Sequence, residues 1–159
     1  MANIQLVRID ERMIHGQVVA QWIRCIHCEK ILLVDDKVFA DDFLKKVVKM
    51  ACPSDIELEV ATIDMAVEYL KDEKADSKAL MVLVRHPDTI EAMVDKGVPV
   101  PKLNLGGMGM KPGRKRLYHN IALSQAEIET FKRLAEKGVE TTIQMTPSER
   151  VVDLMKKLK

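Results

Sequence analysis

Six short apolar runs alternate with stretches of helical spacing along this chain, and that alternation constrains its fold more than any other feature. The runs cover residues 4–9, 31–34, 56–61, 79–84, 102–105 and 139–145. Several, such as Ala-Leu-Met-Val-Leu-Val at 79–84, carry no polar alternation, the pattern of strands buried on both faces. Between the runs, Val18, Val19, Trp22, Ile23 and Ile26 recur at i, i+3 and i+4, as do Phe43, Leu44, Val47, Val48 and Ala51. Residues 65–70, 90–94, 128–134 and 151–158 supply four more candidate helices. Start signals agree: Asp64, Pro87-Asp88, the capping box Ser124-x-x-Glu127, and Thr146-Pro147-Ser148-Glu149 before the last helix. Gly97 and Gly138 fit helix C-termini. Strand then helix, repeated, gives right-handed βαβ units. The expected fold is a single open, doubly wound, mostly parallel α/β sheet with helices on both faces. Residues 117–123 break the alternation and are expected to add a short antiparallel hairpin toward the C-terminal half. With no linker, repeat or low-complexity stretch, residues 1–159 are expected to form one domain.

Composition removes several function classes. Apolar residues make up 47% and charged residues 31%, a globular balance. The formal net charge of +1 and an aromatic content of 4% argue against nucleic-acid binding by bulk charge or base stacking. The longest clear apolar run has six residues, too few to span a membrane, and the first residues show no export signal. Three cysteines in such a chain are expected to stay reduced, in a cytoplasmic setting. Charge is nonetheless uneven. Residues 1–99 hold 13 basic and 18 acidic side chains, whereas residues 100–159 hold 12 and 6. Lys111, Arg114, Lys115 and Arg116 concentrate part of that excess. They form either a solvated loop or a surface for an anion or an acidic partner.

In a sheet of this class, ligands bind beyond the carboxyl ends of the strands. Residues 8–19, Arg-Ile-Asp-Glu-Arg-Met-Ile-His-Gly-Gln-Val-Val, lie there and hold the densest chemistry in the chain. His15 precedes a helix whose first free amides belong to Gly16, Gln17 and Val18, and such a terminus binds phosphate well. Arg8 and Arg12 can contact phosphoryl oxygens. Asp10 can hold the imidazole tautomer or pair with an arginine, and a neutral imidazole is a competent nucleophile. The competing reading is a histidine that only caps its helix while the arginines pair with Asp10 and Glu11. A second feature, Gly106-Gly107-Met108-Gly109-Met110-Lys111-Pro112-Gly113-Arg114, lacks the Gly-Lys-Ser/Thr of a Walker loop and is followed by no helix. Its glycines can bring backbone amides close to an anion, or can simply serve a flexible hairpin.

Residues 8–18 closely resemble the first signature of the enzyme IIB subunits of the mannose/fructose/sorbose phosphotransferase system, R-I-D-D/E-R-L-I-H-G-Q-V. The likeness continues through Trp22, Val34-Asp35-Asp36, Asn104-Leu105-Gly106-Gly107-Met108 and the late Gly138-Val139…Gln144-x-x-Pro147, and so covers essentially the whole chain. Glu11, Met13 and Leu105 depart from the commoner residues without removing a reactive group. The resemblance implies a phosphohistidine intermediate on His15 Nδ1, charged by phosphorylated enzyme IIA and discharged onto a sugar at the membrane permease subunits, enzymes IIC and IID. It implies a cytoplasmic protein that visits the permease, with no cofactor and no metal, and it leaves self-association open. Arg8, Asp10, Arg12, Gly16, Gln17, Gly106, Gly107, Met108 and Lys111 are then expected to bind or support the phosphoryl group. Arg114, Lys115 and Arg116 are expected to dock the partner. Two rival readings are a nucleotide- or flavin-binding domain, disfavoured by the missing fingerprint, and a non-catalytic regulatory module, which would survive loss of His15.

Other candidates carry less. Cys25-Ile-His-Cys28 falls at a helix C-terminus, away from the N-terminal position that activates a thiol, and Cys52 is the only other cysteine. His86 lies at the functional edge without the arginine and glycine context of His15, and His27 and His119 read as surface residues.

Overall fold

The computed structural model describes residues 2–159. In chain order the elements are β1 (Asn3–Asp10), α1 (Gly16–Ile26), β2 (Lys30–Val34), α2 (Asp36–Ala40), α3 (Asp42–Ala51), β3 (Glu57–Ala61), α4 (Ile63–Lys71), β4 (Ala79–Val84) and α5 (Pro87–Asp95). There follow β5 (Lys102–Gly107), β6 (Lys115–Tyr118), β7 (Ile121–Leu123), α6 (Gln125–Glu136), β8 (Glu140–Ile143), β9 (Val152–Asp153) and α7 (Leu154–Lys157). One sheet of seven strands runs in the order β3-β2-β4-β1-β5-β8-β9. All neighbours pair in parallel except β9, which is antiparallel to β8. β6 and β7 form a separate antiparallel hairpin. The expected α/β sheet with helices on both faces and a small antiparallel addition is what the chain adopts.

Alternation of side chains divides the interior. Ile9, Val84 and Leu105 pack with Ile90, Phe131, Leu134 and Leu154 on one face. On the other face, Ile31, Leu33 and Leu83 pack with Val19 and Trp22 of α1 and Val48 of α3. Each such large apolar side chain contributes roughly 1.5–3 kcal/mol on burial. Hydroxyl and carboxylate caps begin the helices: Thr62 accepts from Met65 N at 3.1 Å, and Ser124 and Glu127 close a capping box.

The helix expected at 43–51 forms as α3, capped by Asp41, which accepts from Leu44 N at 3.0 Å; the short α2 ahead of it was not expected. The helix expected over 151–158 is reduced to α7, four residues long. Val152 and Asp153 instead pair with β8, and Asp153 then caps α7 through Met155 N. Among the described residues, no helix is long and apolar enough to cross a membrane.

β1 lies between β4 and β5. The chain leaves β1 toward β2 in one direction and later reaches β5 on its other side. The carboxyl ends of β1, β4 and β5 therefore meet at the crevice where this topology places ligands.

Candidate functional site

Asp10, the last residue of β1, organises this crevice. Its side chain is fully buried. Oδ1 accepts from the Arg12 backbone N–H at 3.0 Å and from Arg12 Nε at 3.1 Å. Oδ2 accepts from Arg8 Nη2 at 3.0 Å and from Arg12 Nη2 at 3.2 Å, and lies 2.9 Å from His15 Nε2. Burial pushes the carboxyl up, but the hydrogen bonds from Arg12 and His15 and the charge of Arg8 outweigh it and hold it below the usual carboxylate range. Asp10 is an anion here. An anionic acceptor requires the proton of neutral His15 to sit on Nε2, which leaves the Nδ1 lone pair free.

The chain reaches this geometry through a tight turn. Met13 N–H donates to Asp10 O at 3.0 Å, and Met13 takes φ 61°, a left-handed conformation uncommon for a non-glycine residue. His15 then occupies the N-cap position of α1, yet its side chain makes no capping hydrogen bond. The ring is committed to Asp10, so the reading of His15 as a helix cap does not hold. It is 24% exposed, whereas Asp10 is not exposed at all. Gly16 and Gln17 open α1 at the surface, and no acidic residue offsets the first turn. The helix start beside His15 therefore carries its partial positive charge with no acid in its own first turn.

The two arginines play different parts, which the sequence reading did not separate. Arg12 is 46% exposed and can reach a group at the surface. Arg8 is 1% exposed and cannot. Its Nη1 donates to Asn104 Oδ1 and to Gln144 O, and its guanidinium lies over the Trp22 ring at 5.4 Å. Arg8 therefore supports Asp10 from below, out of reach of the surface.

The glycine segment also differs from expectation. Gly106 and Gly107 are buried within β5, not in a loop. A Cβ on Gly106 would occupy the space of the Arg8 guanidinium, and one on Gly107 would approach Arg12 Nη2 and Asp10 Oδ1 to 2.9 Å. These glycines admit side chains rather than offering amides to an anion. Met108 is fully buried in the core.

Lys111 and Arg114 are engaged within the protein. Lys111 Nζ donates to Glu11 Oε2 at 2.7 Å. Arg114, 6% exposed, bridges Glu11 and Glu127 with bonds of 2.7–2.9 Å. Glu11 also accepts from Gly109 N at 3.0 Å. Burial raises the Glu11 carboxyl, but Arg114 and Lys111 overcome it and bring its pKa to about 2. Arg114 therefore latches the His15 segment to the start of α6, and its guanidinium is committed to Glu11 and Glu127. Lys115 and Arg116 do lie exposed.

Glu11, Glu127, Gln144 and the Asp35–Arg85 pair were not predicted as site residues. Arg85 joins the ends of β4 and β2 through bonds of 2.8 and 3.1 Å to Asp35. The Ser124-x-x-Glu127 box signalled Glu127 only as a cap. His86 Nδ1 lies 3.7 Å from Glu11 Oε2, outside the His15 cluster. Cys25 is exposed, Cys28 buried and Cys52 half-buried.

Comparisons with known proteins converge. Residues 4–159 match the family model described as PTS system sorbose subfamily IIB component. The chain is 30% identical to the sorbose-specific EIIB component of Klebsiella pneumoniae, over 98% of this chain and 95% of that protein. It is 27% identical to the fructose-specific EIIB component of Bacillus subtilis, over 100% of this chain and 98% of the relative. The crystal structure of the IIBSor domain of the K. pneumoniae sorbose permease superposes with a TM-score of 0.93 at 29% identity, covering 98% of this chain and 96% of that one.

Proposed function

The chain belongs to the sorbose subfamily of phosphotransferase-system IIB components, and we therefore propose that His15 carries a phosphoryl group on Nδ1. The family acts in phosphoryl transfer during sugar uptake. The observation that carries the assignment is the 2.9 Å contact between His15 Nε2 and the buried Asp10 carboxylate, which leaves Nδ1 as the free nucleophile.

In the first transfer the Nδ1 lone pair attacks the phosphorus of a donor phosphohistidine on enzyme IIA. The donor N–P bond breaks, and its electron pair leaves with the donor ring. The His15 proton stays on Nε2, where Asp10 stabilises the positive ring that forms. Phosphoryl transfer asks chiefly for positioning and charge stabilisation. In this reading the half-exposed Arg12 and the amides of Gly16 and Gln17, which open α1 beside His15, receive the equatorial oxygens. In the second transfer a sugar hydroxyl oxygen, presented by membrane subunits IIC and IID, attacks the phosphorus. The Nδ1–P bond breaks, its pair returns to the ring, and the hydroxyl proton passes to a base on the acceptor side. Residues 1–159 act as one unit in the cytoplasm and visit the permease.

The test is mass spectrometry after incubation with phosphoenolpyruvate, the general phosphotransferase proteins and the matching enzyme IIA. His15→Ala should take up no phosphoryl group, while His86→Ala and His119→Ala label like the parent chain. Label retained on the His15 variant overturns the assignment. Sugar phosphate should form only when membranes carrying the permease subunits are added.

A further inference from the structure

We propose that two adjoining hollows beside the β6–β7 hairpin dock an acidic protein segment that also carries aliphatic side chains. The first hollow, about 420 Å³, lies between the hairpin, α6 and α7. Leu117, Ile128 and Leu158, all half-buried, form its floor, and Lys115, Arg116 and Lys157 stand at its rim. No carboxylate among the described residues lines it. The second hollow, about 510 Å³, shares Lys157 and adds Arg150 and Lys156. Lys157 joins the two, its ammonium 4.7 Å from the Tyr118 ring centre. Glu140 and Asp153 are the acids at the second hollow, and Asp153 is engaged in capping α7.

Nearby cations are neutralised internally: Arg114 by Glu11 and Glu127, Arg133 by Glu91, and Lys137 by Asp95. Among the described residues, Lys115, Arg116, Arg150, Lys156 and Lys157 form no ion pair within 4.0 Å. Arg116 donates only to the His119 carbonyl. Three cations around an apolar floor, with Arg150 and Lys156 in the hollow beside it, call for a ligand that brings both negative charge and aliphatic surface.

Shape and charge choose among anionic partners. A lipid surface is gripped by apolar side chains that protrude, and here only Val151, 53% exposed, stands out while the leucines and Ile128 are recessed. A second copy meeting this face would bring like-charged rims together. A peptide segment can place carboxylates on the rim and a side chain on the floor. No residue lining either hollow comes from the β1–α1 segment that bears His15, so the inference stands apart from the phosphoryl-transfer reading.

The probe is a fluorescent peptide in which glutamate and leucine alternate, titrated into the full chain at low and high salt. Anisotropy should show saturable binding that weakens with salt, and replacing the leucines by serine should weaken it further. Amide shifts should cluster at residues 113–118 and 156–158. Lys115→Glu/Lys157→Glu should weaken binding about tenfold or more. Lys46→Glu/Lys49→Glu, the same charge change on α3, should not. Thermal melting checks that both variants fold. Equal losses in both variants, absence of peptide binding, or shifts elsewhere overturn the proposal. So does Lys115- and Lys157-dependent binding to phosphatidylserine vesicles without peptide binding.

Discussion

Asp10 takes four side-chain and backbone donors and a histidine contact into one buried carboxylate, so substitutions around it separate by burial rather than by charge. Arg8→Ala breaks a wholly buried pair and leaves Asp10 to Arg12 and His15, so a loss at the lower end of the buried-pair range, about 3 kcal/mol, is expected. Its chief effect should be a lower urea midpoint. Arg12→Ala removes a half-exposed partner, for which a stability loss under about 1 kcal/mol is expected. Phosphoryl transfer should instead slow by roughly one to two orders of magnitude, the rate equivalent of one charge-assisted contact. A normal transfer rate in folded Arg12→Ala would contradict this division. Glu11 supplies the pH signature. Its pKa falls from an ordinary 4.5 to about 2. A depressed carboxyl stabilises the fold fully above its unfolded value, and that contribution is lost as pH falls from about 4.5 toward 2. With Lys111 half exposed beside it, the contribution is about 2 kcal/mol. Melting curves between pH 6 and 3, read as roughly that range, should fall less steeply for Glu11→Gln than for the parent chain.

Between elements, β1 and β5 approach so closely at Arg8 that Gly106 has no room for a side chain. Gly106→Ala should therefore displace the guanidinium and destabilise by about 1–3 kcal/mol, the usual range for overpacking. Combined with Arg8→Ala it should cost less than the sum, because the colliding group is gone. Additive losses in a denaturant double-mutant cycle would show that Gly106 acts through something else. Elements whose signals are local were legible in the sequence. α1, α3, α4, α5 and α6 follow from apolar spacing, most with start signals, and β1 to β5 and β8 follow from apolar runs. β9 was not legible, because Val151, Leu154, Met155 and Leu158 carry helical spacing while the unpaired edge of β8 captures Val152 and Asp153. The site divides likewise. His15, Asp10 and Arg12 are neighbours in sequence and could be read together. Beyond Asp10, the partners of Arg8 lie 96 and 136 residues away, and the clasp of Arg114 on Glu11 spans 103. Only tertiary folding reveals that Arg8 points inward and Arg114 is taken.

For the whole molecule, the C-terminal segment closes the sheet. β9 covers part of the β8 edge, and Leu154 inserts fully buried beside Ile143 and Phe131 in the larger core. Leu154→Ala should lower stability by about 2–5 kcal/mol in urea unfolding, the cost of emptying a fully buried site. A loss below about 1 kcal/mol would mean the segment rests on the core without sealing it. At the other end of the crevice, the chain's single tryptophan has a consequence of a different kind. Trp22 lies under Arg8 and donates from Nε1 to Met145 O at 2.9 Å. Indole emission is sensitive to nearby charge and to the loss of such a bond. The protein thus contains its own optical probe at the floor of the His15 site. Light absorbed at the red edge of the protein spectrum is absorbed by this one ring, and stopped-flow emission from unlabelled protein can follow events at Arg8 and Asp10 as they happen.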